Sequence, residues 1–136
     1  YLNEALELDN NSLVVLMEKS YVNILIKDFN AALKCVNKVL EIDSNQLLPL
    51  LRKYYILAEL NDYEASFNGF EQISKIKIEN HTFIMCYYYY YGKSLACAKK
   101  YDEALCLFEE YLEKYPHFPK DDILEEKEEV LKLINK

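Results

Sequence analysis

The chain repeats itself at a spacing of 34 residues. Phe29 and Tyr63 stand 34 apart, as do Asp28 and Asp62, Ala32 and Ser66, and Val39 and Ile73, while Ala5, Leu6, Glu7 and Asp9 recur 34 later as Val39, Leu40, Glu41 and Asp43. A unit this short cannot bury its apolar side alone, so it folds by stacking on copies of itself; this period belongs to paired helices in a solenoid. Such arrays build an extended surface rather than a catalytic cleft, and those surfaces grip other polypeptides. A binding role is the first expectation.

The residues inside each copy have a packing logic. Ala32, Ser66 and Ala104 are small at the same point of three copies, each three residues after an aromatic, Phe29, Tyr63 or Tyr101. The small residue lets one helix approach its partner while the ring seals the turn. Between Tyr63 and Tyr101 the spacing slips from 34 to 38. Four residues are about one helical turn, and the simplest place for it is the start of the helix near His81.

Near the C-terminus, Tyr88, Tyr91, Gly92 and Leu95 are followed by Ala104, Phe108 and Pro116, with KKYDEAL beginning at Lys99. This copy resembles the tetratricopeptide repeat, which spaces an aromatic, a Leu-Gly pair and a Tyr in one helix and Ala, Phe and Pro later. KDFNAAL from Lys27 with NKVLEIDSN from Asn37 resembles a second copy, and NDYEASF from Asn61 a third. Residues 1–118 then divide into a half repeat at 1–12 and full repeats at 13–46, 47–80 and 81–118, with a capping helix at 119–136. The resemblance implies an all-α, right-handed superhelical solenoid of antiparallel helix pairs. Departures occur at Lys19 and Asn23, which replace Leu and Tyr, and at Lys53 and Tyr54, which replace Leu and Gly. Tyr54 brings a ring to a point of close packing. Because the chain opens inside a half repeat, it reads as a piece of a longer protein.

Composition narrows the function classes. A formal charge of -7 argues against nucleic acid or an anionic membrane surface as partner, since phosphate neutralisation needs clustered Lys and Arg. With 2 Gly and 3 Pro the chain lacks the punctuation of a many-turned β protein. Cys35, Cys86, Cys97 and Cys106 include no CxxC, and His81 and His117 are the only imidazoles, so no metal site or other cofactor is expected. Cysteines inside predicted helices behave as small hydrophobes, and a reduced, cytoplasmic setting follows. No apolar run has the length of a membrane span. There is no Gly-rich phosphate loop and no nucleophile elbow, so no catalytic residue is assigned and the chain is read as a non-enzyme.

Periodicity predicts helices over 1–8, 13–26, 30–42, 47–60, 64–77, 82–98, 102–114 and 121–135, with Ser12, Asn30, Asn45 or Gln46, and Asp102 near helix starts. Gly69 sits inside an otherwise helical stretch and predicts a locally weak turn. Ile123, Leu124, Val130, Leu131 and Ile134 form one apolar stripe on the last helix, with acids over most of the remainder, as a terminal cap requires.

The first helix of each pair carries a second stripe at i, i+3, i+4, i+7 spacing. Its members are Val14, Met17, Glu18 and Tyr21 in one copy, Leu48, Leu51, Arg52 and Tyr55 in the next, and Cys86, Tyr89, Tyr90 and Lys93 in the third. In tetratricopeptide domains the equivalent face lines the concave groove, so the resemblance implies a partner-binding groove of these twelve residues. Packing between neighbouring helices is the competing role for the same stripe. The carboxylate clamp of chaperone-tail receptors is not matched, since Met17, Tyr21, Arg52, Cys86 and Tyr90 occupy its positions. The expected function is a protein-interaction scaffold that holds a peptide or helical segment of another protein. The alternatives are a regulatory or substrate-recruiting arm of a larger enzyme, or a self-association module forming a homo-oligomer.

Overall fold

A computed structural model describes the backbone of residues 2–44 and 46–135, and the side chains of residues 13–44 and 46–135. Among the described residues the chain is all-helical: α1 (Leu2–Leu25), α2 (Phe29–Ile42), α3 (Leu47–Glu59), α4 (Tyr63–Ser74), α5 (His81–Cys97), α6 (Tyr101–Lys114) and α7 (Asp121–Ile134). Each helix packs on the next where a short turn joins them, in the pairs α1 with α2, α3 with α4 and α5 with α6. The pairs are linked by α2 on α3 and α4 on α5, and α3 also lies along α5. Helix α7 closes over α5 and α6.

Three turns share one construction. Lys27, Asn61 and Lys99 adopt left-handed φ of 65, 70 and 63°. In each case the next residue donates its N–H five residues back, Asp28 to Asn23, Asp62 to Leu57 and Lys100 to Leu95, all at 2.8 Å. The left-handed residue donates to the carbonyl three before it, as Lys27 does to Ile24. This is the Schellman arrangement, which satisfies carbonyls a helix end would leave unpaired. The residue after it starts a new helix at once. Asp28 accepts from Ala31 N–H at 3.2 Å and Asp62 from Ala65 N–H at 3.4 Å, so these aspartates, rather than Asn30, are the caps. Asp102 likewise lies inside α6, and Asn45 lies outside the described residues.

Where 1–8 and 13–26 were expected as separate helices, α1 is continuous from Leu2 to Leu25. No Gly or Pro interrupts that stretch, and Asn10, Asn11 and Ser12 each cost about 0.7 kcal/mol or less in a helix interior. Helix α4 stops at Ser74 rather than 77. Ile76, Lys77 and Ile78 follow it, and the β-branched pair favours extended backbone; Ile78 turns in to pack beside the core clusters. Helix α5 is 17 residues long against 13 for α3, and its additional turn is at the start. There His81 stacks on Phe118 at 3.8 Å, and Phe118 stacks on Tyr115.

The core runs through the helix pairs in three parts. Ala32, Val36 and Ile56 form its first part, Leu51, Tyr55, Phe70, Ile73 and Tyr90 its middle, and Ile84, Tyr88, Leu95, Ala104, Phe108, Tyr111, Ile123 and Val130 its last. Ala32, Ser66 and Ala104 are all fully buried, as small contact residues should be. Both glycines sit beneath rings: a Cβ at Gly92 would overlap the Phe108 ring, and one at Gly69 the Tyr54 ring. Gly69 is therefore the room that Tyr54 needs. On α7 only Ile123 and Val130 are buried; Leu124, Leu131 and Ile134, expected in the same stripe, remain exposed.

Candidate functional site

A groove of about 850 Å³ opens between α1 and α3. Leu13, Val14, Met17, Glu18, Tyr21 and Val22 line it from α1; Gln46, Leu47, Leu48, Pro49 and Arg52 from the start of α3; and Phe83 from α5. Its lining is overwhelmingly apolar. Val14, Tyr21 and Val22 are 59, 48 and 52% exposed, large hydrophobic side chains at a water-facing surface of the described chain.

Of the twelve residues of the predicted stripe, Val14, Met17, Glu18, Tyr21, Leu48 and Arg52 meet in this groove. Leu51, Tyr55 and Tyr90 do not: they are buried in the middle of the core, Tyr55 at 3% exposure. Periodicity could not separate them: α3 packs along α5, so its stripe divides, with Leu48 and Arg52 at the groove and Leu51 and Tyr55 covered. Cys86, Tyr89 and Lys93 are half-buried beside that core. The sequence reading missed Leu13, Val22, Gln46, Leu47, Pro49 and Phe83. Val22 and Leu47 each adjoin a residue of the stripe, a signal that a wider apolar arc would have caught. Phe83 enters from the extra turn of α5.

Arg52 spans the floor. Its Nη1 donates to Met17 O at 2.9 Å and to Ser20 Oγ at 3.2 Å, its Nε to Tyr90 Oη at 3.3 Å, and its guanidinium lies 5.5 Å from the Tyr21 ring centre. These bonds tie α1, α3 and α5 together from a single side chain. Charge-assisted bonds to neutral acceptors contribute roughly 1.5–3 kcal/mol each when well formed. Further along, Lys93 Nζ lies 5.1 Å from the ring centres of both Tyr55 and Tyr89 and donates to Tyr89 Oη at 3.4 Å. Tyr55 in turn donates its hydroxyl to Glu59 at 2.5 Å. Burial first, and the Glu59 hydrogen bond second, push the nearby Cys97 thiol up to about 12, so it stays protonated at neutral pH.

Helix α7 borders the far side of this chain of groups. Burial raises the Glu126 carboxyl above its usual range, with Lys93 opposing the shift and Glu125, Glu129 and Asp122 adding to it. The Tyr89 phenol is also raised, chiefly by burial and then by Glu126, Asp122, Tyr21 and Glu125. Tyr89 thus lies within electrostatic reach of Tyr21 of α1 and of the acids of α7. The described chain has no cluster of three metal-ligating side chains placed to hold an ion, and no described helix is long and apolar enough to cross a membrane. No protein-family model, curated protein or solved structure matches the chain.

Proposed function

We propose that the chain is a tetratricopeptide-like array, a right-handed superhelix of helix pairs with α7 as its cap, and that it works as a non-catalytic scaffold holding a segment of another protein in the groove between α1 and α3. The observation that carries this reading is the groove itself, apolar and open, with Val14, Tyr21 and Val22 at its surface. Exposed apolar area of this kind is the mark of a protein-binding surface, and a groove between helices suits an apolar helix or extended peptide. The three turns of one construction and the packing of α3 along α5 support the superhelix. Tyr21 has the profile of an anchor, with a broad ring and a hydrogen-bonding tip.

The test is a display selection of peptides on the chain, followed by affinity and melting measurements on two variants. Tyr21→Ala should weaken selected peptides by about 1–2 kcal/mol and leave the melting temperature nearly unchanged. Tyr55→Ala should lower stability by about 3–5 kcal/mol, because its ring is core. Peptides that bind Tyr21→Ala as tightly as the parent would refute the groove as the site.

A further inference from the structure

From the groove floor, Arg52 reaches Tyr90 of α5; Tyr89 and Lys93 lie beside it on that helix, which packs on α7, and the charges along this course are one-sided. Both cations on it are committed to the chain itself: Arg52 to Met17 O, Ser20, Tyr90 and the Tyr21 ring, and Lys93 to the rings and hydroxyl beside it. The acids are not. Glu18 is exposed at the groove lip, and Asp122 is exposed on α7. The ion pairs among the described residues are Lys77 with Glu79, Lys114 with Glu110, Lys127 with Glu109 and Lys132 with Glu129; none engages Glu18, Asp122 or Glu126. Helical spacing orients α7. Lys127 pairs with Glu109 of α6 on one flank of the buried Ile123 and Val130, which leaves Asp122 and Glu126 on the opposite flank, toward Lys93 and Tyr89 of α5.

On the reading of the groove given above, we propose that its partner is a basic amphipathic segment of another protein, whose apolar side chains fill the space between α1 and α3 and whose Lys or Arg side chains face Glu18 and Asp122. Charge complementarity sets this choice. An acidic segment would meet carboxylates where Arg52 and Lys93 are already engaged within the chain, and a second copy of this chain, at a formal charge of -7, would bring like charge to the same rim. Rim charges of this kind act mainly on selectivity and association rate, and their effect falls with added salt. The exposed Tyr21 ring adds a face on which a cation packs favourably.

Two fluorescein-labelled helical peptides of about 16 residues, or ~24 Å of helix, test this: one of Leu and Lys, the other identical but with Glu for each Lys. The Leu/Lys peptide should bind at least tenfold more tightly at low salt. Neutralising the rim with Glu18→Gln and Asp122→Asn together should weaken it by about twofold to thirtyfold, the range for two exposed charge pairs. The same charge change at Glu64→Gln and Glu113→Gln, on α4 and α6, should leave it nearly unaltered. Equal binding of both peptides, or equal loss from the two neutralised pairs, overturns the charge inference. Val14→Ser with Val22→Ser separates that outcome from failure of the groove: if this pair weakens both peptides alike, the groove stands and only the partner's charge is wrong. If it weakens neither, or neither peptide binds, the groove reading falls too. Light scattering of the chain alone is the remaining arm, and a dimer dispersed by the Val14 and Val22 substitutions would show that a second copy is the occupant.

Discussion

Tyr54 and Gly69 show how a departure at one residue is answered at another. In the last helix pair the first helix supplies the glycine, Gly92, and the second the ring, Phe108; in the middle pair the first helix supplies a ring, Tyr54, and the second the glycine. Total volume across the contact is conserved, which is the condition cores tolerate best. The glycine that predicted a weak point in α4 is thus a packing residue, and its partner across the helix pair is invisible to a reading of α4 alone. A double-mutant cycle measures the coupling. Gly69→Ala should destabilise the parent through the clash with Tyr54, yet in a Tyr54→Ala background it should stabilise by about 0.5–1 kcal/mol, the ordinary gain of Ala over Gly in a helix. Chemical denaturation of the four proteins reads both numbers. Additive effects would show that ring and glycine do not meet.

At the scale of the element, the helices were legible because apolar residues recur at helical spacing. Ala32, Val36 and Val39 all lie on the buried face of α2. The turns were less legible. Left-handed backbone usually announces itself with Gly, and here Lys27 and Lys99 hold it without one, while Asn61 gives only the weaker hint of a residue that tolerates the conformation. A lysine in that region carries a cost of about 1–2 kcal/mol, which the two Schellman bonds and the packing of the next helix overcome. Lys99→Gly should therefore raise stability by up to about 1 kcal/mol, the relief being offset in part by the greater freedom of glycine in the unfolded chain. The predicted site met a similar limit. Spacing found the stripe, but which members reach water depends on how far neighbouring first helices lie from each other, and only contacts between helices decide that. Leu48 and Arg52 line the groove while Leu51 and Tyr55 of the same helix are covered, because α5 packs along that side of α3.

For the molecule as a whole, the dominant fact is the concentration of tyrosine in one continuous core. Tyr87 meets Tyr88 and Tyr91 edge-on, Tyr91 stacks on Phe70 at 4.7 Å, Tyr88 packs on Tyr111 and Tyr115, and Tyr90 tilts against Tyr55. Aromatic pairs contribute about 0.5–1.5 kcal/mol beyond their buried area, so this network joins the middle of the array to its end. Its phenols share a vulnerability. Burial pushes Tyr55, Tyr87, Tyr88, Tyr89 and Tyr90 above the ordinary value of 10.0, with the Glu59 and Glu110 hydrogen bonds adding to Tyr55 and Tyr88. A phenol that holds its proton more tightly folded than unfolded contributes stability that is complete below the unfolded pKa, about 10, and is lost as pH rises toward the folded value. Several such groups in one core lose it together. The chain should hold its helical circular dichroism up to the unfolded phenol range and then unfold cooperatively, with the ultraviolet absorbance of phenolate rising in the same transition. Phenolate appearing progressively while the helical signal persists would mean that water reaches these rings in the folded chain, and that the tyrosine core is looser than its packing indicates.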